Sequence, residues 1–464
     1  MKFGVFLYFF YASFLANAQA VCTGTEAFLD LGDWKIHEKK IIQLDCKWEF
    51  YWNKLLSPQD FKKPTSLYPD LKIRPSVWSE IELENKKIGS TGYATYKLTL
   101  KNLPNTDLIL DAYSIQTSYR IFIDDKLMAE VGKPGVTKEK TVPANGDVQI
   151  HIPAGKKEIQ LIVQVANFYH RKGGFVHQFE LGTCEAITSQ RFLFYSLDFI
   201  ESTALAIIGL FLFALFIFRR KDFSILYFSL FCITLCFRPV ISVNYLLATI
   251  FPDINWFVLI KMEYLSVLFP CLFMLLFIKE LFEAQLPKKI EKILRWILIL
   301  KIIAVIVLPP ILFSWLIIPL LFIIPIGALL FAYVIIKAIF AKVEGAKYAG
   351  LGILVLISSL LLKVMVYSHL IPPVHVLTTI MDIAFIFMMS LILGSRFSLQ
   401  FARVEALQQQ TEIQAHEIER KKELVEEKNK EIMDSIKYAK RIQDALLPSE
   451  KYIKRSINKT NKNS

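Results

Sequence analysis

Two groups of residues carry the chemistry this sequence can offer. The first is the stretch Asn167-Phe-Tyr-His-Arg-Lys-Gly-Gly174, which mixes rings with hydrogen-bonding heads at the end of an alternating apolar run. Small-ligand sites combine aromatic faces with a few convergent polar groups. Asn167, Tyr169, His170 and Arg171 are the candidates there, and Trp78, Tyr93 and Arg120 join them on the same grounds. A plain structural loop is the competing reading. The second group is Arg238, Glu263, Lys363 and Asp382, four charges set deep in long apolar stretches. Nothing points to a glycosidase, because no spacing among the many carboxylates singles out an acid and a nucleophile. No Cys/His spacing suggests metal ligands, and no cofactor is expected.

The deep charges draw attention to the stretches that hold them. A bilayer-crossing helix needs about 20 mostly apolar residues. Seven candidates follow: 195–218, 223–247, 256–282, 293–313, 316–340, 349–371 and 376–395. Only Ser314-Trp315 separates the fourth from the fifth, and Pro309-Pro310 could mark the break of the fourth. One re-entrant hairpin formed by these two would lower the count to six or five, and the loop charges argue against it. Alternate loops are basic: Arg219, Arg220 and Lys221, then Lys288, Lys289, Lys292 and Arg295, then Lys337, Lys342 and Lys347. Residues 244–255, 314–315 and 369–375 hold no Lys or Arg. The positive-inside rule puts the basic loops in the cytoplasm, the N-terminal part outside and the C-terminus inside. Asp198, Glu201 and Lys261 read as residues snorkelling to the outer surface, with Lys301 nearer the inner side. The four deeper charges form an expected outer-half cluster, since intramembrane charge pairs or faces a polar cavity.

The beginning of the chain gives the same orientation. Lys2, the apolar run Val5–Leu15 and Ala18-Gln-Ala20 read as a secretory signal peptide over residues 1–20. The chain holds 54 Lys+Arg against 42 Asp+Glu. Residues 21–190 are nearly balanced, with 22 basic and 21 acidic side chains, against 16 and 10 in 191–395 and 15 and 11 in 396–464. The surplus therefore flanks the membrane, and no nucleic-acid partner is expected. Cys22, Cys46 and Cys184 are exported, an odd number compatible with one disulfide of unspecified pairing. Cys232, Cys236 and Cys271 read as packing residues.

Residues 21–190 alternate in β fashion. Trp48, Phe50 and Trp52 share one face and read as core. Further strands are expected at 93–101, 107–113, 118–123, 127–131, 147–152, 158–166 and 175–181, punctuated by Gly89, Pro104-Asn105, Asp124-Asp125, Gly132, Pro143, Gly155 and Gly173-Gly174. In order, Trp48-Glu-Phe-Tyr-Trp52, Val77-Trp78, Gly92-Tyr-Ala-Thr-Tyr96, the 118–123 strand with its Asp124-Asp125 turn, and Asn167–Gly174 resemble the galactose-binding-type jelly roll. With seven spans following, the chain is similar to the seven-transmembrane receptors with diverse intracellular signalling modules, over roughly residues 28–400. That resemblance implies sensing of a small extracytoplasmic ligand, carbohydrate being the class proposed for such receptors.

The C-terminal part is a helix. Val404, Thr411, Ile418, Val425, Ile432, Ala439 and Leu446 recur every seven residues, with Leu407, Gln414, Lys421, Lys428, Ser435 and Ile442 between them. This pattern predicts a parallel coiled coil, and so a homodimer, with a polar middle. His416-Glu417 resembles the phosphoacceptor box of histidine kinases, but lacks its proline in Ile418-Glu-Arg-Lys421 and reads as a solvated position. Glu427 to Pro448 resembles the linker before metal-dependent serine phosphatase domains of the sporulation-regulator type. The catalytic domain that follows such linkers has no counterpart here, so no enzyme activity is expected.

The expected architecture is multidomain. It comprises a signal peptide (1–20), an all-β jelly-roll sensor domain (21–190), a seven-helix transmembrane bundle (191–400), a cytoplasmic coiled-coil helix (401–448) and a basic disordered tail (449–464). The expected function is a plasma-membrane receptor relaying ligand state to an unidentified cytoplasmic effector. The alternatives are a truncated or partner-dependent half of a receptor phosphatase and, third, a transporter, for which no internal repeat is visible.

Overall fold

The computed structural model describes residues 27–37, 40–63, 67–242, 245–251, 253–316, 318–367, 371, 374–446 and 450–461. The expected signal peptide and Cys22 lie outside them. The chain forms two units, Met1–Ile392 and Leu393–Ser464.

The first unit begins with a β domain. Its strands are β1 (Phe28–Asp30), β2 (Ile41–Gln43), β3 (Trp48–Trp52), β4 (Leu71–Ile73), β5 (Glu82–Leu83), β6 (Lys86–Lys87), β7 (Gly92–Lys101), β8 (Leu108–Ala112), β9 (Ser118–Ile123), β10 (Lys126–Val131), β11 (Val148–Ile152), β12 (Glu158–Asn167) and β13 (Glu180–Thr183). One sheet runs β10-β9-β12-β7-β3-β4, with β1 added parallel to β7, and a second runs β11-β8-β13-β2. Period-two alternation builds the core between them. Ala94, Tyr96, Leu98 and Leu100 of β7 and Ile159, Leu161, Val163 and Val165 of β12 face Leu108 and Leu110 of β8, with Trp48 and Phe50 beside them. Each fully buried Leu, Val or Phe side chain contributes about 1.5–3 kcal/mol.

One expected strand moves. Pairing occurs at Glu180–Thr183 rather than 175–181, because Phe175 and Phe179 turn inward against Trp48, with ring centroids 5.8 and 6.1 Å away.

The helices are α1 (Cys184–Phe218), α2 (Phe223–Leu235), α3 (Phe237–Ile241), α4 (Leu246–Ile250), α5 (Trp256–Leu281), α6 (Lys288–Val307), α7 (Pro310–Leu316), α8 (Leu320–Phe340), α9 (Ala346–Tyr367), α10 (His375–Leu446) and α11 (Glu450–Thr460). Among the described residues five helical stretches are long and apolar enough to cross a membrane: Cys184–Phe218, Phe223–Ile241, Trp256–Leu281, Ala346–Val366 and the one that begins at His375.

Two expected spans are interrupted. The second is divided at Cys236 between α2 and α3, beside Arg238-Pro239, where proline supplies no N–H to the ladder, and it ends at Ile241, before the extended Ser242. The fourth stops at Val307: Leu308 precedes Pro309 and is extended, with φ −80° and ψ 158°. Such breaks leave helix-end carbonyls without partners. Lys261 Nζ donates to the Ile306 carbonyl at 2.7 Å, and Lys301 Nζ donates to that of Leu316. Both lysines thus cap helix ends, a role that neither the snorkelling reading of Lys261 nor the placing of Lys301 nearer the inner side included.

In the second unit residues 401–446 of α10 are exposed throughout. Residues 450–460 are helical where a disordered tail was expected, with Glu450 in the first turn and Lys459 in the last, complementing the helix dipole.

Candidate functional site at the junction of sheet and helices

Thr183 ends β13 and is also the N-cap of α1, its hydroxyl accepting from the Ala186 amide at 3.3 Å. No linker separates strand from helix. Two turns on, Arg191 reaches back into the β domain. Its Nε and Nη2 donate to Asp111 of β8 at 2.7 and 2.6 Å, and Nη1 donates to Asp147 at 2.5 Å. All three side chains are almost fully buried. Tyr113 lies under the guanidinium, 4.6 Å from its ring centroid. Burial pushes the Asp147 carboxyl up to about 6 despite Arg191, whose single charge is shared with Asp111. Beside this clamp, Gln190 and Gln43 donate to Glu180, which burial holds above the usual carboxylate range.

The second contact is the Asn167–Gly174 loop. Asn167 is fully buried and organises it: Nδ2 donates to the carbonyls of Ser90 and His170, both at 2.6 Å, while Oδ1 accepts from the amides of Tyr169 and His170. Gly174 has φ +87°, and a Cβ there would lie 2.7 Å from the Ser76 carbonyl oxygen and from Trp78. The glycines therefore let the loop close over Trp78.

The loop then docks on the helices. His170 is buried, and its Nε2 lies 2.8 Å from the Tyr264 hydroxyl of α5. The other ring nitrogen, Nδ1, faces the Lys172 backbone, 3.2 Å from its amide nitrogen and 3.4 Å from its carbonyl oxygen. Burial lowers the His170 pKa to about 3, and the charges of Arg171 and Lys172 add to it. Lys172 is also lowered, by burial and then by Arg171. The Arg171 amide donates to Ser314 Oγ of α7 at 3.2 Å. Tyr169 packs edge-on against Trp256 and Phe257 at the start of α5. Two further bonds complete the contact, Gln116 Nε2 to the Tyr245 hydroxyl at 3.2 Å and Trp256 Nε1 to Asn145 Oδ1 at 3.1 Å.

The seven candidate ligand residues do not converge. Trp78 is fully buried in the core and donates to the Tyr96 hydroxyl, so its ring offers no open face; that expectation is corrected. Arg120 is paired with Glu130 at 2.7 Å on the outward face of the larger sheet, the face that Tyr93 shares by alternation. Asn167, Tyr169, His170 and Arg171 belong to the docked loop. Of the four deep charges, only Lys363 and Asp382 meet as an ion pair among the described residues, with Nζ 2.5 Å from the carboxylate and Ser359 also donating to Asp382; Arg238 Nη1 donates instead to the backbone carbonyl of Glu263 at 3.4 Å, and Glu263 Oε2 is buried without a hydrogen-bond partner. Among the described residues no His, Cys, Asp or Glu cluster could hold a metal ion.

Sequence reasoning missed Asp111, Asp147, Arg191 and Tyr264. A carboxylate inside Leu108-Ile-Leu-Asp-Ala112 was the available signal for the first.

Residues 195–396 match the family model described as 7TM diverse intracellular signalling. The match supports a transmembrane signalling receptor, and with the apolar helices it marks a multi-pass membrane protein. No curated protein matches the chain. Similar solved structures include a GH2 β-galacturonidase from Eisenbergiella tayi bound to galacturonate, at 14% identity over 31% of this chain and 24% of that one, TM-score 0.22. Others are a β-glucuronidase from Ruminococcus gnavus (13%, 31% and 28%, TM-score 0.24) and one from an uncultured Clostridium species (16%, 31% and 29%, TM-score 0.24). The chain spans under a third of the length of these enzymes, and likeness at this level carries no argument about ligand or activity.

Proposed function

We propose that the chain is a non-enzymatic receptor of the plasma membrane, with a jelly-roll sensor outside, seven spans and a cytoplasmic helix that pairs with a second copy. The observation that carries this reading is the Asn167–Gly174 loop seated on α5 and α7 through His170–Tyr264 and Arg171–Ser314. Loop and clamp together give the β domain two buried polar attachments to the helices. A small ligand, with carbohydrate as the first class to try, acts by favouring one docked arrangement over another. The loop is then the coupling element, and the tail helix reports the change to an effector.

The dimer rests on the seven-residue recurrence from Val404 to Leu446, which leaves an apolar stripe exposed in a single copy, Ile418 being 67% and Val425 57% exposed. Single cysteines placed along the tail of the full-length protein in membranes test it. Oxidative cross-linking should peak at Ile418→Cys, Val425→Cys and Ile432→Cys and fall at Glu419→Cys and Lys422→Cys. A flat profile sinks the dimer. Sensing is tested by thermal unfolding of the full-length protein against sugars, nucleosides and small acids; no shift from any of them removes the ligand claim.

A further inference from the structure

We infer that the turn between α5 and α6 is a binding site for a phosphate group, as carried by an anionic lipid headgroup. The inference does not depend on the receptor reading. A cavity of about 180 Å³ lies there, lined by Lys279, Glu283, Lys288, Glu291, Lys292 and Arg295 together with Leu286. At about 30 Å³ per water this is room for roughly six waters, enough for a phosphate and the start of its ester.

The charges are unequal, four cations against two carboxylates. Glu283 pairs with Lys288 at 3.6 Å and Glu291 with Arg295 at 3.3 Å. Those pairs cancel and leave Lys279 and Lys292, for which no carboxylate partner occurs among the described residues, at a net charge of two. The first turn of α6 adds to them. Pro287 is the N-cap and offers no side-chain acceptor, and the first helical bond is from the Glu291 amide to the Pro287 carbonyl. The amides of Lys288, Lys289 and Ile290 precede that bond, at the positive end of a 20-residue helix.

Position selects the membrane as the source. Trp256 at the start of α5 touches Asn145 of the β domain. Lys279 lies about 35 Å further along the helix at 1.5 Å per residue. The hydrocarbon core is about 30 Å thick. The cavity therefore lies at headgroup level in the leaflet opposite the β domain, where basic pockets between helices hold lipid phosphates.

The test uses the full-length protein in phosphatidylcholine nanodiscs, with or without phosphatidylglycerol, and in a parallel arm with inorganic phosphate against chloride at equal ionic strength. The variants are Lys279→Gln/Lys292→Gln and, as an equal-charge control in another loop, Arg220→Gln/Lys221→Gln. The thermal midpoint of wild type should rise with phosphatidylglycerol. Lys279→Gln/Lys292→Gln should lose half of that rise or more, and the control should keep it. A rise with inorganic phosphate alone, lost in the same variant, keeps the site and makes a soluble anion its occupant. Lys292→Gln alone, at an exposed position, serves if the double variant does not fold. No rise in either arm, equal loss in the control, or a full rise in the variant overturns the proposal.

Discussion

Arg191 and Asp111 meet through two side-by-side hydrogen bonds in a site closed to solvent, one residue on the first long helix and the other on a strand eighty positions earlier. A planar guanidinium facing a carboxylate in this way is strong and directional. Asp147 closes the third side. Removing one partner of such a group leaves uncompensated charge in the interior. Arg191→Leu should therefore destabilise the β domain by about 3–5 kcal/mol. Arg191→Lys should recover only part, because a single ammonium cannot serve both oxygens of Asp111. Chemical denaturation of the full-length protein in nanodiscs, followed by protease resistance of the β domain, measures both. A wild-type profile for Arg191→Leu would show that the clamp contributes nothing.

His170 gives the junction a pH dependence with a definite sign. Its folded pKa is about 3, against 6.5 for the unburied ring. The folded state thus binds fewer protons, so stability is complete above 6.5 and is lost as pH falls through that value toward 3. At pH 5 the loss amounts to roughly 2 kcal/mol. Arg171 and Lys172 on the loop and Tyr264 on α5 face the ring, and neither cation supplies a counter-charge for a protonated imidazole. The protection factors of the amides in residues 167–174, which are ratios to the intrinsic exchange rate at each pH, should fall between pH 7.5 and 5. His170→Gln should remove that difference, and its persistence in this variant would assign the effect elsewhere.

Tyr264 is the hydrogen-bond partner of that ring, 2.8 Å from Nε2. Tyr264→Phe leaves the buried Nε2 without a partner, at a cost of about 1–3 kcal/mol. Combined with His170→Ala it should show a coupling energy of about 0.5–3 kcal/mol in a double-mutant cycle. Additive effects would mean that the two side chains do not act together.

Lys363 and Asp382 face each other across α9 and α10. Either charge reversed alone sets like charges in contact within an apolar span, and the yield of folded protein should fall. Lys363→Asp with Asp382→Lys should restore it. Failure of the swap, with both single reversals harmless, would show that the pair is incidental.

Much of the β domain was legible because period-two alternation depends on local sequence alone. The turns at Asp124-Asp125 and Gly173-Gly174 lie where their composition placed them. The 175–181 strand was misjudged because Phe175 and Phe179 are spent on the core, a tertiary choice that alternation does not encode. Trp78 shows the same limit, since the pattern around an isolated aromatic residue does not tell core from ligand platform. Lys261 and Lys301 were visible as intramembrane charge. Their role was not, because it depends on where two other helices end. The clamp was hidden most completely: Asp111 was an oddity in an apolar strand, and only folding brings Arg191 to it.

The direct passage from Thr183 into helix has one more consequence. Each residue of a helix turns the next by about 100° at 3.6 residues per turn. Arg191 therefore meets Asp111 only at one angular setting of the whole first span about its axis. A single alanine inserted between Cys184 and Gln190 would swing everything downstream through that angle and carry the guanidinium away from its carboxylates, while four would bring it back to within about 40°. The β domain and the first span are in this sense geared: the number of residues between them sets which face the span presents to its neighbours.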